Sequence, residues 1–134
     1  MLAALGPERS RWRYRQRSFL DAGLTLPGSS DRPVVQGAPL LGIHAMVNQR
    51  TASGRPFNPA EALTAEEAIR CYTLHSARAA VRERDLGSLE AGKPADFAVL
   101  SADPTAIAPE DLATLQVLAT VVGGRVAHDR MGLD

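Results

Sequence analysis

Apolar positions follow a helical period in the first two-thirds of the chain and a strand pattern in the last third, changing near residues 84–94. Trp12, Tyr14, Phe19 and Leu20 are interleaved with Arg9, Arg11, Arg13, Arg15 and Arg17, and the stretch runs into Gly23. Glycine tolerates the positive φ found just past a helix end, so this stretch predicts a helix from near Pro7 to Ala22. Leu24-Thr25-Leu26 predicts a short strand, and Pro27-Gly28 then opens a polar loop through Pro33. Leu40, Leu41, Ile43, Met46 and Val47 predict a helix over 38–50, followed by a loop to Pro59. The clearest element is a helix over 65–83. Thr64 and Glu67 have the spacing of a capping box, and Ile69, Tyr72, Thr73, Ala77, Ala80 and Val81 share one face.

A glycine-punctuated loop spans 85–93, and a strand is predicted over 95–100, with Phe97 and Val99 on one face. Residues 109–115 predict a short helix. Val117 to Val122 and Arg125 to His128, joined by Gly123-Gly124, predict a β-hairpin, because both glycines can take positive φ.

Length limits what these elements can build. A (β/α)₈ barrel takes roughly 250 residues, and the chain has 134. Fifteen Lys and Arg balance fifteen Asp and Glu, which gives no global pull toward nucleic acid or a membrane surface. The arginine-rich stretch reads as a solvated helix whose side-chain stems cover apolar neighbours. Its other reading is a binding module for an acidic partner. The single cysteine, Cys71, excludes an internal disulfide and reads as a buried core thiol. No apolar run approaches the roughly 18 residues of a membrane span, and Met1 to Gly6 does not read as a secretory signal. A cytoplasmic location is expected.

Fourteen consecutive residues, Gly87-Ser88-Leu89-Glu90-Ala91-Gly92-Lys93-Pro94-Ala95-Asp96-Phe97-Ala98-Val99-Leu100, resemble the C-terminal signature of the amidohydrolase superfamily. Val121-Val122-Gly123-Gly124-Arg125-Val126 resembles the closing hairpin of that family, at a fitting distance. Upstream, Arg17 to Gly23, Ser30 to Val34, Gly42 to Arg50, Leu63 to Ile69 and Tyr72-Thr73 are similar to amidohydrolase family 3. The resemblance covers roughly residues 8–129 and only the last part of a full-length member.

It implies an α/β fragment. Residues 1–84 are expected to hold the last strand and helices of a TIM-like (β/α)₈ barrel, and residues 85–134 the C-terminal strands of a small β-sandwich, or composite, domain. The implied activity is hydrolysis of amide-like, non-peptide C–N bonds by metal-activated water. In the family the Ser-Asp pair follows the eighth barrel strand, so the resemblance assigns Asp31 the role of catalytic carboxylate and metal ligand within a full barrel. Arg32 and Arg50 are implied on the substrate side, with surface ion pairs as their plainer reading. Taken alone, Asp31 also reads as an Asx-turn residue. The family has glycine directly before the Ser-Asp pair; here Ser29 stands there, with Gly28 one position earlier.

The paired and isolated metal-binding histidines of full members have no counterpart. His44, His75 and His128 lack the spacing of a metal pair. The cofactor expected for the intact enzyme is a divalent metal, zinc, with none expected for this chain alone. The expected partner is a missing N-terminal amidohydrolase portion or a second copy of the chain, with no nucleic acid and no membrane. The alternative is a non-catalytic stand-alone remnant or an interaction module that needs a partner chain. An uncovered apolar face and unpaired sheet edges would make such a chain marginal, oligomeric or prone to aggregate.

Overall fold

The structure, a computed structural model, describes Gly6 and residues 8–132. Residues 8–10 are helical, and helix α1 spans Gln16–Asp21. The single helix expected from Pro7 to Ala22 is therefore interrupted, and Pro7 itself lies outside the described residues. Tyr14 takes φ 51°, and the Asn58 amide donates to the carbonyls of Arg11 (3.0 Å) and Arg13 (2.8 Å). The arginines recur at every second position, a spacing that no helix face repeats. The Arg15 guanidinium lies 4.7 Å from the centre of the Trp12 ring. Gly23, with φ 76°, closes α1 as expected, its N–H donating to Leu20 O at 2.9 Å.

Leu24 to Leu26 joins no sheet among the described residues, contrary to the expected strand. A strand needs a hydrogen-bonded neighbour, and this segment is seated on a helix instead. Helix α2, Pro39–Asn48, forms where its apolar spacing predicts and opens on proline, whose missing N–H costs nothing in the first turn. Helix α3, Ala65–Arg70, opens on the predicted capping box. Glu67 N donates to Thr64 Oγ1 (3.2 Å), and Thr64 N donates to the Glu67 carboxylate (2.8 Å). A π-helical turn, Cys71–His75, follows, then helix α4, Ser76–Ala79.

This composite helix stops short of the expected residue 83. Val81 N donates to Arg78 O and Arg82 N to Ala77 O, both at 2.9 Å, with Val81 at φ 56°. That is the Schellman pattern, usually built on glycine. Ala80 to Glu83 contains no helix breaker, and Gly87 returns against the last turns of the helix. A Cβ there would lie 2.7 Å from Ala77 Cβ and 3.0 Å from Leu74 Cα.

The core joins Ile43 and Met46 of α2 to Leu63, Ala68, Cys71 and Leu112. Leu112 sits on a 3₁₀ turn, Pro109–Thr114, where a short helix was expected. The Asn48 amide donates to Pro109 O at 2.7 Å and holds that turn against the end of α2.

Strands β1 (Phe97–Leu100), β2 (Val117–Val122) and β3 (Arg125–Asp129) form an antiparallel sheet in sequence order, so the chain is a small α/β unit with a three-stranded sheet. Phe97, Val121 and Val126 stand side by side across it. Gly123 (φ 57°) and Gly124 (φ 75°) both use the positive φ the hairpin demands. Strand β1 starts at Phe97 rather than 95 because the two preceding residues clasp the hairpin tip. Asp96 Oδ1 accepts from Gly123 N (2.5 Å) and Ala95 O from Gly124 N (3.0 Å). Lys93 Nζ donates to Glu83 O and Ser88 Oγ, both at 2.7 Å. The Gly87–Leu100 signature thus fastens the helix end to the hairpin. No helix among the described residues is long and apolar enough to cross a membrane.

Arg17 ties α1 to α3 through a two-pronged ion pair with Glu67. Hydrogen bonds from Arg17, then from Thr64, hold the Glu67 carboxyl at about 2 against the opposing effect of burial. Its folded value lies below the ordinary 4.5, so its contribution to stability is full above that value and is lost as pH falls toward 2. With the two side chains 29% and 31% exposed, we expect a contribution on the order of 2 kcal/mol. Urea midpoints measured across this window should fall with pH in the wild type and flatten in Glu67→Gln; an unchanged slope in the variant would rule the pair out. Val81→Gly is expected to raise stability by roughly 0.5–1 kcal/mol, because it relieves a left-handed β-branched residue whose side chain is 83% exposed. A lower melting temperature would contradict that reading.

Candidate active site

The site begins with a defect in a helix. The Thr73 hydroxyl donates to Ile69 O (2.8 Å) and the Ser76 hydroxyl to Cys71 O (2.8 Å). Side-chain hydroxyls that capture helix carbonyls compete with the backbone ladder, and the π turn lies between these two captures. Cys71 O also accepts from Gly28 N at 2.8 Å. One turn on, His75 Nδ1 lies 3.3 Å from Leu26 O and 3.4 Å from Leu26 N. The segment expected to be a strand is thereby pinned to the π turn at two residues.

Tyr72 projects from the same turn toward two glycines. A Cβ on Gly28 would lie 2.4 Å from the Tyr72 ring, and one on Gly42 would lie 1.8 Å from its hydroxyl. Any larger residue at either position collides with the ring. Gly42 stands inside α2, where glycine costs about 1 kcal/mol relative to alanine. Burial, with a smaller effect of Cys71, pushes the Tyr72 phenol up, so it stays protonated through neutral pH.

Beyond Gly28 the chain turns at Asp31, which takes φ 52°. The turn is closed without the carboxylate. Asp31 N donates to Ser29 Oγ (3.1 Å), and Val34 N donates to Asp31 O (2.8 Å). The exposed Asp31 carboxylate has no hydrogen bond or ion pair to the described residues. The carboxylate is thus not spent in closing the turn.

Asp31, Arg50 and Tyr72 line one cavity of about 950 Å³. Its walls are largely apolar, with Val34, Leu41, Met46, Tyr14 and Phe57 among them. Tyr14 and Phe57 meet edge to face, 5.6 Å between ring centres. Buried Gln49 ends α2 in a left-handed turn (φ 44°), accepts from Phe57 N (2.7 Å) and donates to Gln16 Oε1 (2.5 Å). Beneath it, burial would raise the Glu61 carboxyl, but hydrogen bonds from the Ser18 hydroxyl and amide, with Arg15 nearby, hold it below the usual range.

The structure brings Asp31 and Arg50 together and leaves Arg32 out. Arg32 lines an adjoining shallow groove with residues 33–38, which shares Val34, Val35 and Gln36 with the cavity, and its Cδ would lie 3.2 Å from a Cβ on Gly37. Arg50 donates to Gly54 O at 2.9 Å. Sequence reasoning placed Tyr72 on an inward helix face and missed its place in the cavity; the signal was Gly42, a glycine inside an otherwise strong helix. Among the described residues no three His, Cys, Asp or Glu side chains are grouped so that they would hold a metal ion. His75 is occupied at Leu26, and His128 Nε2 lies 3.2 Å from Val117 O.

A family model described as the amidohydrolase family matches residues 1–128. The N-substituted formamide deformylase of Arthrobacter pascens is 42% identical over 87% of this chain and 21% of its own length. A Bacillus subtilis chain, YtcJ, which carries the amidohydrolase name, is 34% identical over 94% of this chain and 24% of its own. An uncharacterized metal-dependent hydrolase of Pyrococcus furiosus superposes with a TM-score of 0.63 at 36% identity, over 75% of this chain and 20% of that one. The chain thus spans between a fifth and a quarter of the length of these relatives.

Gly28→Ala and Gly42→Ala are each expected to cost roughly 1–3 kcal/mol by overpacking against Tyr72. In a Tyr72→Ala background most of that cost should vanish, a coupling that a double-mutant cycle in urea reads directly. Equal costs in both backgrounds would show that the ring does not set the glycine requirement.

Proposed function

The chain belongs to the amidohydrolase family, and from that premise we propose that it forms one wall of the active site of a C–N hydrolase, with Asp31 as the reacting carboxylate. The observation that carries this reading is the unengaged carboxylate of Asp31 at a largely apolar cavity. Such a group is available to take a proton from an attacking water and return it to the leaving nitrogen. The substrate is an amide-like, non-peptide compound, in keeping with the N-substituted formamides in the name of the Arthrobacter relative. The portion up to residue 84 is read as the C-terminal part of a (β/α)₈ barrel, and residues 85–134 as the C-terminal strands of an accessory β-sandwich. The similarity to a metal-dependent hydrolase favours this arrangement.

The Pyrococcus furiosus hydrolase that this chain resembles is metal-dependent, and we read the metal as a divalent ion, zinc. The donors within the described residues do not fit such an ion by themselves, since a catalytic zinc usually takes three protein ligands. Asp31 is then a single contributor, and the other ligands come from outside this set, on a preceding segment or a partner chain. By itself the chain is read as inactive.

In the assembled hydrolase, Asp31→Asn is expected to lower kcat for amide hydrolysis by about 10²- to 10⁴-fold, while Arg32→Ala stays near wild type, both followed by amine release. Undiminished turnover in Asp31→Asn would end the proposal. The isolated chain should bind only substoichiometric zinc in equilibrium dialysis. Stoichiometric zinc accompanied by amide turnover would overturn its dependence on outside ligands.

A further inference from the structure

The Tyr72 hydroxyl is a polar group that the fold goes to some length to place and then leaves unused. It reaches the cavity past Gly42, where the smallest side chain would lie 1.8 Å from it. It has no hydrogen-bond partner among the described residues. Nor is it sealed away, because those residues contain no side-chain oxygen or nitrogen that is both buried and unpaired. Packing alone does not account for this. A phenylalanine would fill the gap between Gly28 and Gly42 equally well, without carrying an oxygen into an apolar cavity.

Resting on the hydrolase reading above, we infer that Tyr72 is a substrate-binding residue, whose hydroxyl donates a hydrogen bond to the carbonyl oxygen of an amide held in this cavity. The phenol is protonated at neutral pH, with burial pushing it further up, and is therefore able to donate. An amide oxygen is the strongest neutral acceptor such a substrate offers. The cavity volume, about 950 Å³, lies within the range of small-molecule sites, which combine apolar walls with a few placed polar groups. Tyr14, Phe57 and Leu41 supply the apolar wall for an aryl or alkyl substituent. Tyr72 is thus distinct in role from Asp31: it recognises the acyl oxygen and moves no proton.

The test uses two probes of one shape. Acetanilide carries the carbonyl; N-ethylaniline has the same skeleton without it. Binding of each to the full chain is followed by amide chemical shifts, for wild type and Tyr72→Phe, which keeps the ring and removes only the oxygen. Tyr72→Phe is expected to weaken acetanilide by about three- to tenfold and to leave N-ethylaniline unchanged. Gly42→Ala, which displaces the hydroxyl, should shift the ratio of the two affinities in the same direction. That ratio is independent of how much variant is folded, since unfolding weakens both probes alike. Equal losses for the two probes, no loss in Tyr72→Phe, or no binding of acetanilide by the wild type would each overturn the inference. The readout is binding without turnover, so failure of Asp31 as the reacting carboxylate leaves this result standing or falling by itself.

Discussion

The carbonyl oxygen of Cys71 fixes the candidate site to the core. It accepts from the Ser76 hydroxyl and from the N–H of Gly28. That second bond places Gly28 on the helix surface, where the Tyr72 ring leaves no room for a side chain. Three residues later stands Asp31. The position of the carboxylate therefore derives from a local irregularity in a helix, and Cys71, 0% exposed, anchors that irregularity in the best-packed part of the molecule. Defects of this kind recur at functional sites because they free backbone groups that a regular helix consumes.

The cost of this arrangement is visible in the residues around it. Gly42 weakens α2 from within, and Asp31, Gln49 and Asn58 all hold left-handed backbone. Asparagine and aspartate tolerate that region better than most residues; Gln49 does so because its side chain and carbonyl are both bonded in place. Compensation comes from long-range polar ties that need no large core. Arg17 with Glu67, Ser18 with Glu61, and Asn58 with the carbonyls of Arg11 and Arg13 each join segments more than 40 residues apart. Several large apolar residues nevertheless stay exposed, among them Trp12, Leu24, Val34 and Val35.

What was legible in the sequence divides along physical lines. Signals that act within a few residues were readable: the Thr64–Glu67 capping box, proline at the start of α2, and the paired glycines of the hairpin. Each is a local hydrogen-bond or dihedral requirement written in adjacent letters. Features set by distant contacts were not. Residues 11–15 leave the helix because Asn58 takes their carbonyls. Leu26 is held by His75, and Gly28 just beyond it by Cys71, rather than by a neighbouring strand. The composite helix ends at Ala79 in a Schellman turn built on Val81, with no glycine there to announce it. The π turn left a trace in Thr73 and Ser76, two hydroxyl residues on the helix, but such residues are more often harmless there. Asp31 was singled out through its Ser-Asp setting, and the place of Tyr72 at the cavity was overlooked because a tyrosine on an inward face looks like core.

The Gly87–Leu100 signature, the longest continuous stretch carrying the family resemblance, lies away from the cavity. Gly87 packs on α4, Lys93 caps Glu83, and Asp96 clasps Gly123; none of them lines the space that Asp31 and Tyr72 share. This signature therefore testifies to how the chain is fastened together and carries no information about which bond is cut. The candidate chemistry lies in a different and smaller set: a carboxylate and a phenol without a partner among the described residues, and apolar walls around both. Family membership is thus carried by architecture spread over most of the chain, whereas the role proposed at the cavity rests on a few side chains whose polar groups the described residues leave unspent.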